Sequence, residues 1–308
     1  MNEDKKKILK KHGYILTGEE SGAKLCHWVG EKLIRGRPCY KEKFYGIESH
    51  RCLQMSPSVD VCNQSCLFCW RYQDYDNRKD VKFDDPEEIV EKSIQAQRKL
   101  VSGFKGDDRC DKEMWEEARE PNQVAISLAG EPTMYPNLGG LIEEYTKRGM
   151  TTFLVTNGTR PDVLENLDPL PTQLYITLAA PNEKVYTKLC IPNSKELWKK
   201  VNRSLDILST LDTRTVVRHT LVQDWNIGWE KDYTDLIKTA DPDFVEAKGY
   251  VFVGDSRRRM NLSNMPSNET VKGFAKKEAE ILGLDIVAEK ADSRVVLIGE
   301  GGVDTKIK

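Results

Sequence analysis

Three cysteines stand on one short stretch, Cys62-Asn-Gln-Ser-Cys66-Leu-Phe-Cys69, with three and then two residues between them and Trp70-Arg71-Tyr72 directly after. Spacing this tight lets a single loop wrap a compact metal site, and thiolates are soft ligands suited to iron–sulfur clusters or zinc. A structural zinc site closes with four ligands, whereas three thiolates on a cubane cluster leave one iron open to another molecule. A zinc knuckle with a distant fourth ligand, or three reduced thiols without metal, would share the spacing. Cys26, Cys39 and Cys52 form a second set with twelve residues in each gap, in a segment punctuated by Gly22, Gly30, Gly36, Pro38 and Gly46. That segment reads as a loop that a metal would staple, again through three thiolates. His27 and His50 adjoin them as possible fourth ligands, and ordinary core or surface cysteines are the competing reading.

Three other stretches carry chemistry. Val124 to Ala129 reads as a buried strand running straight into Gly130-Glu131-Pro132-Thr133, where glycine lets backbone approach a ligand closely and Glu131 offers a carboxylate to an ammonium group. Cations and aromatic rings interleave between Lys24 and Arg51, with Arg35, Arg37 and Lys43 among Trp28, Tyr40, Phe44 and Tyr45. Arg257, Arg258 and Arg259 follow a glycine-bearing loop. Cations for phosphates and flat rings for unstacked bases are what RNA binding uses, although a solvated charged face has the same composition.

The elements that must position these groups alternate. A strand from Leu53 to Val59 ends in the Cys62 loop. Asp85 caps a helix over 87–101, and 107–120 reads as an acidic, solvated insertion with Cys110 incidental. Helices near 138–148, 163–167, 194–211 and 229–240 lead to strands near 152–156, 174–178, 213–221 and 244–248. A helix over 269–282, strands near 286 and 295–298, and a polar tail from Gly299 to Lys308 finish the chain. Alternating β and α with short links implies a parallel sheet with right-handed crossovers. About six units favour an open (β/α)6 partial barrel, whose strand ends would present Asn157, Thr177, Thr220 and Glu246 or Lys248 to the cavity. Residues 1–51 read as a basic N-terminal extension carrying cluster ligands, 52–260 as the barrel core, and 261–308 as an extension packed on it. At 308 residues, with 39% apolar and 31% charged side chains, the chain can bury a large core. No apolar run reaches the length that spans a bilayer, and no signal region follows Met1, so a cytoplasmic protein is expected. A net charge of −2 gives no global attraction to nucleic acid. Six of the eight cysteines lie between residues 26 and 69, which in a cytoplasmic chain argues for metal over disulfides.

The spacing Cx3CxΦC, with Phe68 at Φ, resembles the signature of the radical S-adenosylmethionine (SAM) superfamily, in which the open iron is chelated by the amino and carboxylate groups of SAM. The superfamily's Gly-Gly-Glu-Pro-like motif, which holds the SAM amino group, is similar to Gly130-Glu131-Pro132, with Ala129 replacing the first glycine. The resemblance makes Phe68, Gly130, Glu131, Asn157 and Thr177 candidate cofactor contacts and implies the radical SAM partial TIM barrel. Together with the double twelve-residue spacing and Lys248-Gly249-Tyr250, the pattern from Cys26 to Arg259 resembles the archaeal tRNA 4-demethylwyosine synthase family of wybutosine biosynthesis. That resemblance implies two 4Fe–4S clusters, on Cys62/Cys66/Cys69 and Cys26/Cys39/Cys52, together with SAM. It also implies a radical ring closure on N1-methylguanosine beside the anticodon of tRNA-Phe, with pyruvate as two-carbon donor and an external flavodoxin- or ferredoxin-like electron donor. Pyruvate would sit either on the second cluster's open iron or as a Schiff base, for which Lys41 is the candidate. A monomer with no membrane partner is expected. Two other readings stay open: a radical SAM enzyme acting on a peptide or small molecule, and a zinc-stapled RNA-binding protein.

Overall fold

The computed structural model describes residues 1–74 and 81–307; Lys308, the end of the expected tail, lies outside them. Ten strands form one sheet in the order β1-β2-β3-β4-β5-β6-β7-β8-β10-β9. They are β1 (Tyr14–Leu16), β2 (Gly22–Lys24), β3 (Cys52–Ser56), β4 (Gln123–Ile126), β5 (Thr151–Thr156), β6 (Gln173–Thr177), β7 (Arg214–Leu221), β8 (Phe244–Gly249), β9 (Asp285–Lys290) and β10 (Val295–Gly299). Strands β3 to β8 are parallel neighbours throughout, which makes the expected six-unit open barrel. Antiparallel pairs extend both edges: β2 beside β3, and β10 beside β8. Residues from 1–51, 52–260 and 261–308 all contribute strands to this one sheet.

Side-chain alternation along a strand decides which residues face which side. Leu53, Met55, Val124, Ile126, Leu154, Leu174, Ile176, Val217 and Val245 are buried in one cluster with apolar faces of the outer helices, such as Ile142, Tyr145, Ile237 and Phe274. The opposite face sends Phe153, Tyr175, Val216 and Phe244 inward against Tyr40, Phe44 and Tyr45. Each such burial contributes roughly 1.5–3 kcal/mol.

The segment from Cys26 to Cys52 corrects the sequence reading. It is not a loop but two helices, His27–Arg35 and Tyr40–Tyr45, with Cys26 and Cys39 at their N-caps. Gly36 and Gly46, which suggested loop, are left-handed C-caps at φ 65° and 78°, the helix stop that glycine favours. Helix Tyr40–Tyr45 plugs the interior of the partial barrel. The tail is likewise packed: Thr305 Oγ1 donates to the Phe44 carbonyl at 2.6 Å and the Ile307 amide to that of Tyr45 at 2.9 Å. The expected 194–211 helix is Leu197–Asp206, preceded by a separate helix, Glu183–Cys190. Asn182 caps that second helix, and Ile191 at φ 44° with Pro192 behind it ends the helix. The acidic 107–120 stretch contains a helix, Lys112–Ala118, that buries Trp115 and Ala118, and Cys110 is buried with Val29 and Leu33. Asp85 caps its helix as expected, accepting from the Glu87 amide at 3.0 Å.

Candidate active site

The Cys62–Cys69 loop follows β3 and is stitched to the turn after β4. The Glu131 amide donates to the Val61 carbonyl at 2.8 Å, and Ser58 Oγ donates to the Glu131 carbonyl at 2.8 Å. Gly130 is at φ +68°, and a Cβ there would lie 1.8 Å from the Ser58 carbonyl oxygen, so close approach of the two loops requires glycine. The Glu131 carboxylate is 2% exposed. Oε1 accepts from Thr133 Oγ1 at 2.7 Å and Thr156 Oγ1 at 2.6 Å, and Oε2 from the Asn157 amide at 2.8 Å. Burial pushes its pKa up against those hydrogen bonds. Asn157 Nδ2 in turn donates to Asn63 Oδ1 at 3.0 Å and lies 4.0 Å from Cys62 Sγ. Glu131 therefore organises three loop ends, and among the described residues Oε2 accepts one bond, leaving a lone-pair position for a further donor.

All three loop thiols have raised pKa values: burial and the Glu131 charge for Cys62, a hydrogen bond with Cys190 and burial for Cys66, and burial and the Cys66 charge for Cys69. A purely thiol donor set on one loop fits a cluster that takes these groups as thiolates. Arg71 supports the fit. It is 5% exposed, its guanidinium lies 3.5 Å from the Trp70 ring centroid, and its Nε and Nη2 find no acceptor among the described residues. The acidic groups it feels are Tyr14, Cys69 and Cys26, so an anionic cluster nearby would meet an otherwise unanswered cation.

Inside the barrel lies a charged layer. Arg218 on β7 donates from Nε to Glu246 Oε2 at 2.7 Å and from Nη2 to Tyr40 OH at 2.8 Å. Tyr45 OH donates to Glu246 Oε1 at 2.6 Å. Burial opposes the Glu246 charge, and Arg218 outweighs it, holding the carboxyl below its ordinary range. Lys41 projects from the plug helix between the Phe153 and Tyr175 rings, Nζ 4.0 Å and 4.5 Å from their centroids. Lys248 on β8 lies with Nζ 4.2 Å from the Tyr40 centroid. Burial first and Arg218 second lower both lysines to about 8.

Comparison with known proteins decides the family. Residues 56–236 match the radical SAM superfamily and 239–300 the wyosine base formation family. A tRNA 4-demethylwyosine synthase from Pyrococcus abyssi is 48% identical, covering 99% of this chain and 91% of the relative. That of Methanocaldococcus jannaschii is 40% identical over 95% of this chain and 94% of the relative. The chain belongs to the tRNA 4-demethylwyosine synthase family. A solved structure of TYW1 with a bound lysine–pyruvate adduct superposes with TM-score 0.90 at 38% identity, covering 100% of this chain and 98% of that one. A crystal structure of archaeal TYW1 gives TM-score 0.83 at 35% identity over 100% of both chains. Mouse TYW1 is 37% identical, and this chain spans 41% of its length. As a radical SAM enzyme the chain uses SAM and a 4Fe–4S cluster.

The remaining candidates from the sequence fall into groups. Cys26, Cys39 and Cys52 converge: Cys26 and Cys39 both raise the pKa of Cys52, after burial, and Cys39 raises that of Cys26. Phe68 packs toward Tyr186 and Leu189, and Thr177, half-buried at the end of β6, is the register partner of Arg218. The arginine run does not form one clamp. Arg259 Nε donates to the Leu67 carbonyl at 3.3 Å and Nη2 to that of Cys69, so it ties down the cluster loop. Arg258 pairs with Asp255 at 3.5 Å, and Arg257 lies exposed beside Phe252. Arg35 and Arg37 both pair with Glu31, and Lys43 is exposed. Sequence reasoning missed Arg218 and Arg71. The signal for Arg218 was an arginine at an inward position of an otherwise buried strand.

Proposed function

We propose that this chain converts N1-methylguanosine beside the anticodon of tRNA-Phe to 4-demethylwyosine, with pyruvate as the two-carbon donor. The observation that carries the reading is Lys41, held between two aromatic rings inside the barrel and without a hydrogen-bond acceptor among the described residues. It supports an imine with pyruvate over chelation of pyruvate by iron at the second thiol set, and a TYW1 relative carries a lysine–pyruvate adduct. A desolvated slot favours the uncharged amine. Its nitrogen attacks the ketone carbon of pyruvate, and the ketone oxygen leaves as water, giving a carbon–nitrogen double bond.

When bound, SAM and the loop cluster supply the radical that removes a hydrogen atom from the N-methyl group. The chain's own part is placement. Glu131, fixed by Thr133, Thr156 and Asn157, offers its free Oε2 position to the SAM ammonium. Cys62, Cys66 and Cys69 hold one cluster, and Cys26, Cys39 and Cys52 would hold a second. The target base must leave its stack to enter the barrel, as single-stranded loops permit, and exposed Arg257, Arg258, Arg35, Arg37 and Lys43 offer phosphate contacts. We further assign an external one-electron donor, a monomer and a cytoplasmic setting. Among the described residues, no helix is long and apolar enough to cross a membrane.

The test supplies reconstituted protein with reductant, SAM, pyruvate and tRNA-Phe carrying N1-methylguanosine, and follows the nucleoside by mass spectrometry. The expected result is a 4-demethylwyosine product that is lost in Lys41→Gln while 5′-deoxyadenosine still forms. No product from wild type, or full product from Lys41→Gln, would overturn the reading.

A further inference from the structure

The charged layer inside the barrel does not balance. Among the described residues its buried carboxylate is Glu246, with one oxygen accepting from Arg218 and the other from Tyr45. Arg218 is committed to Glu246 and Tyr40. Lys41 and Lys248 remain: both feel the Glu246 charge, yet among the described residues neither Nζ hydrogen-bonds or closely pairs with an acceptor, and both rest on ring faces. Buried cations are normally paired, so this layer is shaped for an anion that the chain does not supply.

The two lysines are placed differently. Lys41 comes from the plug helix and is enclosed between Phe153 and Tyr175. Lys248 lies one residue from the end of β8, two positions beyond Glu246 on the same face, opposite Thr220 of β7 in register. It is half-buried, nearer the mouth than Glu246, and has a long stem with three donors. A small 2-keto acid needs two anchors: an amine for its ketone carbon and a cation for its carboxylate. Resting on the reading of Lys41 above, the structure assigns Lys248 as the carboxylate-binding residue of the keto-acid site, a non-covalent ion pair that orients the ketone carbon toward Lys41 and selects charged keto acids over neutral ketones.

Borohydride trapping of the imine tests this without SAM or tRNA. Wild type, Lys248→Gln and Lys248→Arg are titrated with pyruvate and with hydroxyacetone, a neutral ketone, and the trapped protein is counted by mass spectrometry. Loss of one charged partner predicts that Lys248→Gln needs roughly tenfold or more pyruvate for half-trapping. Lys248→Arg should stay near wild type, and hydroxyacetone trapping should be the same in all three. Equal pyruvate curves for wild type and Lys248→Gln would overturn the assignment, as would an equal shift for hydroxyacetone. Equilibrium dialysis of pyruvate in a Lys41→Gln background keeps the question open to refutation where no imine forms. If wild type traps nothing, the lysine reading fails, yet Lys248 must still bind pyruvate in dialysis and lose it in Lys41→Gln/Lys248→Gln. Should the pair instead be with the neighbouring thiol set, Lys248→Gln would change iron content at unchanged pyruvate affinity, which would also overturn it.

Discussion

The two cysteine sets are held in opposite ways. Cys62, Cys66 and Cys69 ride one loop and are all half-buried. The loop is anchored from outside by the Ser65 amide on the Ile191 carbonyl at 3.1 Å, Asn63 Nδ2 on Thr159 Oγ1 at 2.7 Å and Arg259 on two loop carbonyls. Cys26, Cys39 and Cys52 come from two helix N-caps and the first residue of β3, and Cys39 and Cys52 belong to apolar clusters. A loop site can be emptied while the barrel stays folded. A dispersed site is part of the packing, so metal bound there contributes to folding directly.

The largest effect separates the sets by chemistry. Replacing Cys62, Cys66 and Cys69 by Ala should reduce SAM cleavage to background and lower iron from about eight to about four per chain. Replacing Cys26, Cys39 and Cys52 should remove the same amount of iron and leave measurable 5′-deoxyadenosine formation. Iron analysis with chromatography of the cleavage product reads both, and loss of cleavage in both variants would erase the distinction.

Gly130→Ala reaches the loop set through backbone alone. A methyl group 1.8 Å from the Ser58 carbonyl at φ +68° should cost about 2–4 kcal/mol, read as a shifted denaturant midpoint, with loop-site iron lost and second-site iron kept. Loss of both irons would show that the sets are coupled. Stability gives a finer cut: the metal-free N-terminal triple variant should melt below the metal-free loop variant, by about 2–4 °C for each kcal/mol of difference. Equal melting temperatures would mean that the dispersed set carries no packing role.

The smallest effect concerns a buried pair that belongs to neither cysteine set. His219 and Glu278 are fully buried and 2.9 Å apart. Burial alone would lower the His219 pKa, and the Glu278 charge outweighs it, raising the pKa above 6.5. A raised folded-state pKa stabilises the fold fully below the unfolded value, and that contribution fades as pH rises through the elevated one. Unfolding midpoints from pH 6 upward should fall accordingly in wild type and in both cysteine variants, and His219→Gln should flatten the trend.

Much of this was legible in the chain. The tight cysteine spacing and the apolar stretch running into Gly130 located the mouth, because both signals are local, although the strand itself stops at Ile126. The six parallel strands followed from apolar runs separated by helical stretches. What misled was Cys26 to Cys52, where glycines at helix C-caps have the composition of a loop. Equally hidden was the fate of Arg257–Arg259: a run of like residues says nothing about which one turns inward, and Arg259 is held by carbonyls of a loop nearly two hundred positions earlier. Arg218 and Glu246 form a pair only because β7 and β8 lie in register, a long-range fact that no short window contains.

The plug helix has a consequence for the order in which the protein becomes competent. Lys41 leaves the ribosome early, and its chamber waits for Arg218, then Glu246 and Lys248, and last for the tail whose Thr305 and Ile307 fasten the plug to its seat. The loop cysteines and Gly130 emerge well before that point. A chain without β7 and β8 would lack Arg218, Glu246 and Lys248, and one without residues 305–307 would lack the two hydrogen bonds that fasten the plug carrying Lys41.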